Sequence, residues 1–259
     1  MNVRSSRNLR PVTFVALITG CIAVPSAWAI VIRHDREDRK AIELAERFDA
    51  AGQILPDGGC TLIAPNWVAT AAHVAQQASA ESLQVRFGDK SYKVEQVVIH
   101  PKGKSVNPGM PPEVDLALLK LTEPAERIEP AAIYREKDEL GKTVVLVGYG
   151  DVGDGKQRPR RSDGKRRAAT NVIDDAGPLR IMMKFDGPPG GTDLEGVSGP
   201  GDSGGPALIE KGNRLYLVGV SSAAMNGRPG RYGVIEVYTR VSSFADWIDR
   251  TIRADSDQD

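Results

Sequence analysis

The chain has 259 residues, and its 34 basic and 34 acidic side chains cancel. That length suffices for one large β domain or two small ones. The charge balance excludes a nucleic-acid binder that works through broad phosphate neutralisation, and no stretch reaches transmembrane length.

Residues 1–29 have the layout of a targeting signal. Arg4, Arg7 and Arg10 form a positive start, Val12 to Thr19 a short apolar run, and Ala27-Trp28-Ala29 a small-x-small cleavage site. Cleavage after Ala29 predicts an exported protein, secreted or periplasmic, that begins at Ile30. It removes three arginines and no acid, leaving 31 basic against 34 acidic residues, a net of −3. A second reading competes. Ile18-Thr19-Gly20-Cys21 resembles the lipobox of bacterial lipoproteins, which would place a lipid anchor on Cys21. With the signal gone Cys60 is the only cysteine, so the mature chain has no intrachain disulfide and no thiolate zinc cluster, and no metal site is expected.

In chain order, residues 34–40 are highly charged and expected at the surface. Lys40 to Phe48 has helical spacing and reads as a short helix or a surface loop. Gln53–Leu55 and Cys60–Ile63 read as strands around the turn Pro56-Asp57-Gly58-Gly59, and Trp67–Thr70 as another. Ala71 to Gln77 makes a helical turn or two. Leu83–Phe87, Tyr92–Ile99 and Leu116–Leu121 follow as strands, the last apolar on both faces as a buried barrel strand is. Glu123 to Gly141 links two halves. Thr143–Val147 opens the second half. Gly150 to Arg167, with seven basic and three acidic residues, reads as an exposed loop rather than a nucleic-acid patch, since no aromatic residue is interleaved; alternatively, Lys156 to Arg167 reads as a nicking site. Leu179–Phe185, Ala207–Ile209, Tyr216–Ser221 and Val234–Tyr238 are strands, and Gly187 to Gly201 is a Gly/Pro-rich loop. Ser242 to Ile252 is an amphipathic helix capped by Ser242 or Ser243, with Phe244, Ala245, Ile248 and Ile252 on one side and Trp247 beside them. Many short strands with Gly/Pro-rich turns predict an all-β fold.

Three local sequences carry chemistry: Thr70-Ala71-Ala72-His73, Asp115-Leu116-Ala117-Leu118-Leu119, and Gly201-Asp202-Ser203-Gly204-Gly205-Pro206. A serine hydroxyl needs a base to take its proton as it attacks. An imidazole titrating near pH ~6.5 suits that task, and a carboxylate on its other nitrogen fixes the tautomer. The order His, Asp, Ser, the separations of 42 and 88 residues, and these local sequences resemble the trypsin/chymotrypsin family of serine proteases. His34 and His100 lack such context and are expected at the surface.

The resemblance implies two six-stranded Greek-key barrels with a C-terminal helix and the active site in the cleft between them. It divides the chain into a signal peptide at 1–29 and a protease domain at 30–259. The first barrel would span about 30–125, the second about 140–241 and the helix about 242–253. It implies a serine endopeptidase that acts on protein or peptide substrates through an acyl-enzyme on Ser203, with His73 as base and Asp115 as its partner. The backbone N–H groups of Gly201 and Ser203 would form the oxyanion hole, and no cofactor is needed. It further implies that the amine of Ile30, once exposed, inserts beside Asp202. Here Ile30-Val31-Ile32-Arg33 stands where the family has Ile-Val-Gly-Gly, and Val74 and Gly199 stand where cysteines usually form bridges. The signal and the missing bridges favour a bacterial exported member.

For the pocket that receives the residue before the scissile bond, the resemblance assigns Val197 to the floor, where a trypsin would carry Asp. It assigns Ser222-Ala223-Ala224 to one wall and Glu236 to another. If Glu236 points inward it pairs with an Arg or Lys side chain, since an unpaired buried carboxylate is costly. If the loop Ala224 to Gly233 shifts the match, it faces solvent, and Asp193 and Glu195 are the other acidic candidates. The rival functional reading is a catalytically silent relative that binds proteins through the same surface.

Overall fold

The computed structural model describes residues 30–104, 112–157 and 162–256. The signal segment, Cys21 and residues 158–161 of the basic loop lie outside them.

A two-residue strand β1 (Val31–Ile32) and a helix α1 (Asp38–Ala45) precede six strands. These are β2 (Ala51–Leu55), β3 (Gly59–Ala64), β4 (Trp67–Thr70), β5 (Gln84–Phe87), β6 (Lys90–Ile99) and β7 (Ala117–Leu121). They close into a barrel in the order β2-β3-β4-β7-β6-β5. β4 and β7 are buried along their whole length, as their apolar residues on both faces require. The short helix α2 (Ala72–Ala75) leaves the end of β4.

The second half contains β8 (Ala132–Ile133), β9 (Thr143–Gly148), β10 (Gly153–Asp154), β11 (Arg167–Val172), β12 (Asp175–Ala176) and β13 (Arg180–Lys184). It continues with β14 (Gly196–Val197), β15 (Pro206–Lys211), β16 (Arg214–Met225), β17 (Ile235–Arg240) and the helix α3 (Ala245–Ser256). Seven strands run in the order β11-β9-β15-β16-β17-β13-β12, with β8 added on β16. The all-β, two-barrel architecture is thus present, with a difference. The first barrel is closed; the second is an eight-stranded half-barrel. Between its ends the Asn171 side-chain amide donates to Lys184 O at 3.2 Å and to Gly196 O at 2.8 Å, so a side chain spans the seam.

Residues 30–45, which the sequence assigns to the first half, pack on the second. β1 pairs with β10 and β14, and α1 lies against β11. Arg167 corrects the reading of Gly150 to Arg167 as an exposed loop. It opens a strand, is buried, and forks onto Asp38 at 2.6 and 2.7 Å and onto Asp163 at 2.7 and 3.0 Å. Two carboxylates arriving from α1 and from the loop itself allow the guanidinium to leave water. His100 is also half-buried rather than at the surface, with its ring against those of Phe244 and Trp247, while His34 is exposed.

α3 is the expected closing helix, but neither predicted serine caps it. Ser242 Oγ donates to Glu139 Oε1, and Ser243 Oγ to Pro178 O. Phe244 and Ile248 bury themselves in a cluster with Trp67, Val68 and Leu118 of the first barrel. Each such side chain contributes roughly 2–3 kcal/mol, so the C-terminus joins the halves. Glu139, in the segment linking the halves, accepts two bonds from the Arg240 guanidinium, at 3.0 and 2.5 Å, and both groups are buried. Glu139→Ala strands a buried guanidinium and is expected to lower unfolding free energy by about 3–5 kcal/mol; urea denaturation of this variant against the parent measures it.

Candidate active site

β4 ends at Thr70, whose Oγ1 donates to Gly59 O at 2.8 Å, and the chain turns directly into α2 with His73 in its first turn. Asp115 lies two residues before β7. Their hydrogen bonds are definite: His73 Nδ1 to Asp115 Oδ2 at 2.6 Å, and the His73 backbone N–H to Asp115 Oδ1 at 2.9 Å. Ser222 Oγ donates to Asp115 Oδ2 at 2.6 Å, and Thr239 Oγ1 to Asp115 O at 2.8 Å. Asp115 is only 2% exposed, but three donors to its carboxylate compensate its desolvation. The His73 side chain is 33% exposed. With Nδ1 occupied by a carboxylate, the tautomer that leaves Nε2 free to take a proton is favoured.

Ser203 arrives from the other half. Its carbonyl accepts the Gly59 N–H at 2.7 Å, and the next residue, Gly204, donates to Ser221 O at 2.8 Å, so the loop is strapped to β3 and β16. Asp202 N–H bonds back to Gly199 O at 3.1 Å, with Gly201 at φ +92° in the tight turn between, a conformation suited to glycine. Among the described residues neither the Gly201 N–H nor the Ser203 N–H is spent on a protein acceptor. Two free donors beside a serine hydroxyl are what a developing oxyanion requires. No hydrogen bond joins Ser203 to His73 among the described residues.

Beside Ser203 opens a pocket of about 160 Å³, lined by Ser198-Gly199-Pro200 on one side and Ser221 to Ala224 on another, with Pro229 and Glu236. The structure therefore brings Ser222, Ala223, Ala224 and Glu236 together with Ser203. It leaves Val197 out of the lining, because pairing with Val31 of β1 packs it against Val31, Phe185 and Val234. The two other acidic candidates serve elsewhere. Glu195 Oε2 accepts from Thr192 N at 2.8 Å, and Asp193 is bound by Arg36. Ser198, Pro200 and Pro229 lay beyond reach of sequence reasoning, since no local motif marks them.

Two carboxylates here have no cation beside them among the described residues. Asp202 is fully buried, and burial pushes its carboxyl up to about 8 against the opposing pull of the Gly199 and Gly150 amides, which donate at 3.0 and 3.1 Å. Gly148 passes so close that a Cβ there would collide with the Asp202 carboxylate. Glu236, 4% exposed, is raised well above the carboxylate range by burial first and by Asp202 second, and its Oε1 has no hydrogen-bond partner. Ile30 is buried in the core of the second half. The buried Cys60 thiol is pushed upward by desolvation and is not a nucleophile. No cluster of metal-ligating side chains occurs among the described residues, and none of their helices is long and apolar enough to cross a membrane.

The model of the family described as Trypsin matches residues 50–248. Transmembrane protease serine 9 of Rattus norvegicus is 28% identical over 221 residues, which cover 76% of this chain and 20% of that protein. The chain thus spans about a fifth of that relative's length. Among solved structures, neuropsin, described as a serine protease expressed in the limbic system of mouse brain, superposes with a TM-score of 0.63 at 21% identity. That match covers 79% of this chain and 94% of that one, and it is a likeness of fold.

The raised Glu236 carboxyl has a consequence for stability. The unfolded chain releases this proton near pH ~4.3, whereas the native state keeps it to higher pH. The group's contribution is complete in acid and declines as pH rises, by up to about 1.4 kcal/mol per unit. Glu236→Gln removes that decline. The melting temperature of the variant relative to the parent is expected to climb between pH 4 and 8, which differential scanning fluorimetry across pH measures.

Proposed function

The chain belongs to the trypsin family of serine proteases, and from that premise we propose that it is an exported endopeptidase that cuts after basic residues. His73 takes the Ser203 proton, Asp115 orients and stabilises the imidazolium, and Ser203 is acylated and then released by water activated through His73. Gly201 and Ser203 N–H groups stabilise the oxyanion, a donor of this kind contributing about 3 kcal/mol. The observation that carries the reading is the 2.6 Å His73–Asp115 bond beside a pocket that Ser203 and Glu236 share.

Specificity follows from Glu236. Burial disfavours the ionised form of a carboxylate whose buried oxygen has no partner, and a guanidinium or ammonium entering from the substrate supplies the missing charge. Binding a cation then favours the ionised form. The same logic applies to Asp202. Removal of residues 1–29, in the periplasm or outside the cell, exposes the Ile30 amine, and its ammonium is the partner Asp202 lacks. Export itself would then generate the active enzyme; a lipid-anchored form starting at Cys21 would retain a tail that blocks insertion.

The absence of a Ser203–His73 hydrogen bond favours a second reading, a silent relative that binds proteins through this face. Catalytic hydrogen bonds often tighten only when substrate binds, so the endopeptidase reading is preferred. A panel of chromogenic peptides with Arg, Lys, Phe or Leu before the scissile bond separates the two. Protein starting at Ile30 is expected to prefer Arg and Lys, Ser203→Ala to cut none, and Glu236→Gln to lose about 100-fold of the preference. Cleavage favouring Phe or Leu overturns the pairing with Glu236, and no cleavage by folded protein overturns the enzyme.

A further inference from the structure

Arg33 stands where the resembling family has a glycine, yet the structure buries it to 6% exposure. All three nitrogens of its guanidinium are engaged. Nε and Nη2 fork onto Asp35 at 2.8 and 2.7 Å, while Nη1 donates to Gly190 O and Thr192 O, both at 3.1 Å. Its backbone N–H donates to Glu195 O at 3.0 Å. A second arginine repeats the grip from outside: Arg36 binds Asp35 at 3.0 Å and Asp193 at 2.7 and 2.9 Å. Gly190, Thr192 and Asp193 are thus held by side chains of the amino-terminal segment, and Glu195 by its backbone. The chain that leaves them pairs through Gly196 and Val197 with β1 and runs straight into Ser198-Gly199-Pro200, one wall of the pocket.

A second part of the pocket lining, the loop that holds Pro229, is reached from the same segment. The His34 backbone N–H donates to Tyr232 Oη at 3.0 Å, and the His34 ring nitrogen Nδ1 lies 2.7 Å from that oxygen. Tyr232 packs on Phe185 and closes the loop that contributes Pro229 to the pocket. Four consecutive residues, 31–34, therefore touch the supports of both parts of the lining, with Asp35 holding Arg33, and the only described cysteine, Cys60, forms no disulfide that could hold them covalently.

We propose that Arg33 is a positioning residue for the substrate pocket. Its guanidinium, preorganised by Asp35, fixes the loop 187–196 and through it the wall Ser198–Pro200. A planar fork with five donors can bind one carboxylate and two carbonyls at once, which lysine cannot. The proposal rests on the reading that the pocket beside Ser203 receives the substrate side chain, and it links the amino terminus of the mature chain to that pocket through hydrogen bonds.

The test uses protein starting at Ile30, with Arg33→Met and Arg33→Lys, each checked for cooperative melting. Hydrogen exchange reads the clamp without reference to activity. In Arg33→Met, amides of residues 187–199 are expected to exchange about tenfold faster while those of β5 and β6 keep the parental rate, with Arg33→Lys between the two. For peptides whose residue before the scissile bond fills the pocket, KM is expected to rise about tenfold with kcat within about twofold; with Gly at that position KM stays unchanged. Unchanged exchange at 187–199, or a loss equal in β5 and β6, overturns the clamp. A KM rise equal for both peptide classes overturns the positioning role. If the parent cleaves nothing, the endopeptidase reading fails, and the exchange pattern still decides the clamp.

Discussion

The Asp115 carboxylate is where the two halves of the molecule meet. It gathers the His73 ring and backbone N–H from the first barrel and Ser222 Oγ from β16 of the second, while Thr239 Oγ1 of β17 holds its carbonyl. A buried carboxylate is tolerated only when donors surround it, so its burial requires both halves to be in register. The same condition sets the imidazole beside the Ser203 loop, which is strapped to β3 and β16. Packing of α3 across the first barrel and the buried Glu139–Arg240 pair maintain that register from a distance.

Asp202 and Glu236 present the opposite situation. Both are buried and neither has a cation among the described residues. Buried carboxyl groups shifted upward in this way, beside a cleft, mark a candidate functional site. Each site would be completed by a positive group arriving later, the new amino terminus in one case and the substrate in the other. Asp202 raises Glu236, so pairing Asp202 with an ammonium eases ionisation of Glu236. Charge would then connect the terminus to the pocket, beside the proposed Arg33 clamp.

Much of this was legible in the sequence because its signals are local. Trp67–Thr70 is a strand as read; most of the other predicted strands fall within a few residues of their limits, though β16 runs on to Met225. The motifs around His73, Asp115 and Ser203 announce themselves through short-range patterns. What the sequence could not show depends on distant contacts. β11 went unread because basic residues precede it and Arg167 looks like surface, until Asp38, 129 residues away, neutralises it. Val197 left the pocket because β1 claims it through pairing. Glu236 stood between pocket and solvent until the register of β17 against β16 and β13 set its position. Ser242 carries a capping residue's chemistry but meets Glu139 instead.

The most direct test of the account is a covalent one. Protein starting at Ile30, mixed briefly with a slowly deacylating active ester, should gain the mass of one acyl group, mapped by proteolysis to Ser203, and His73→Ala should gain almost none. An unmodified parent that melts cooperatively, or an adduct on another residue, would contradict the account.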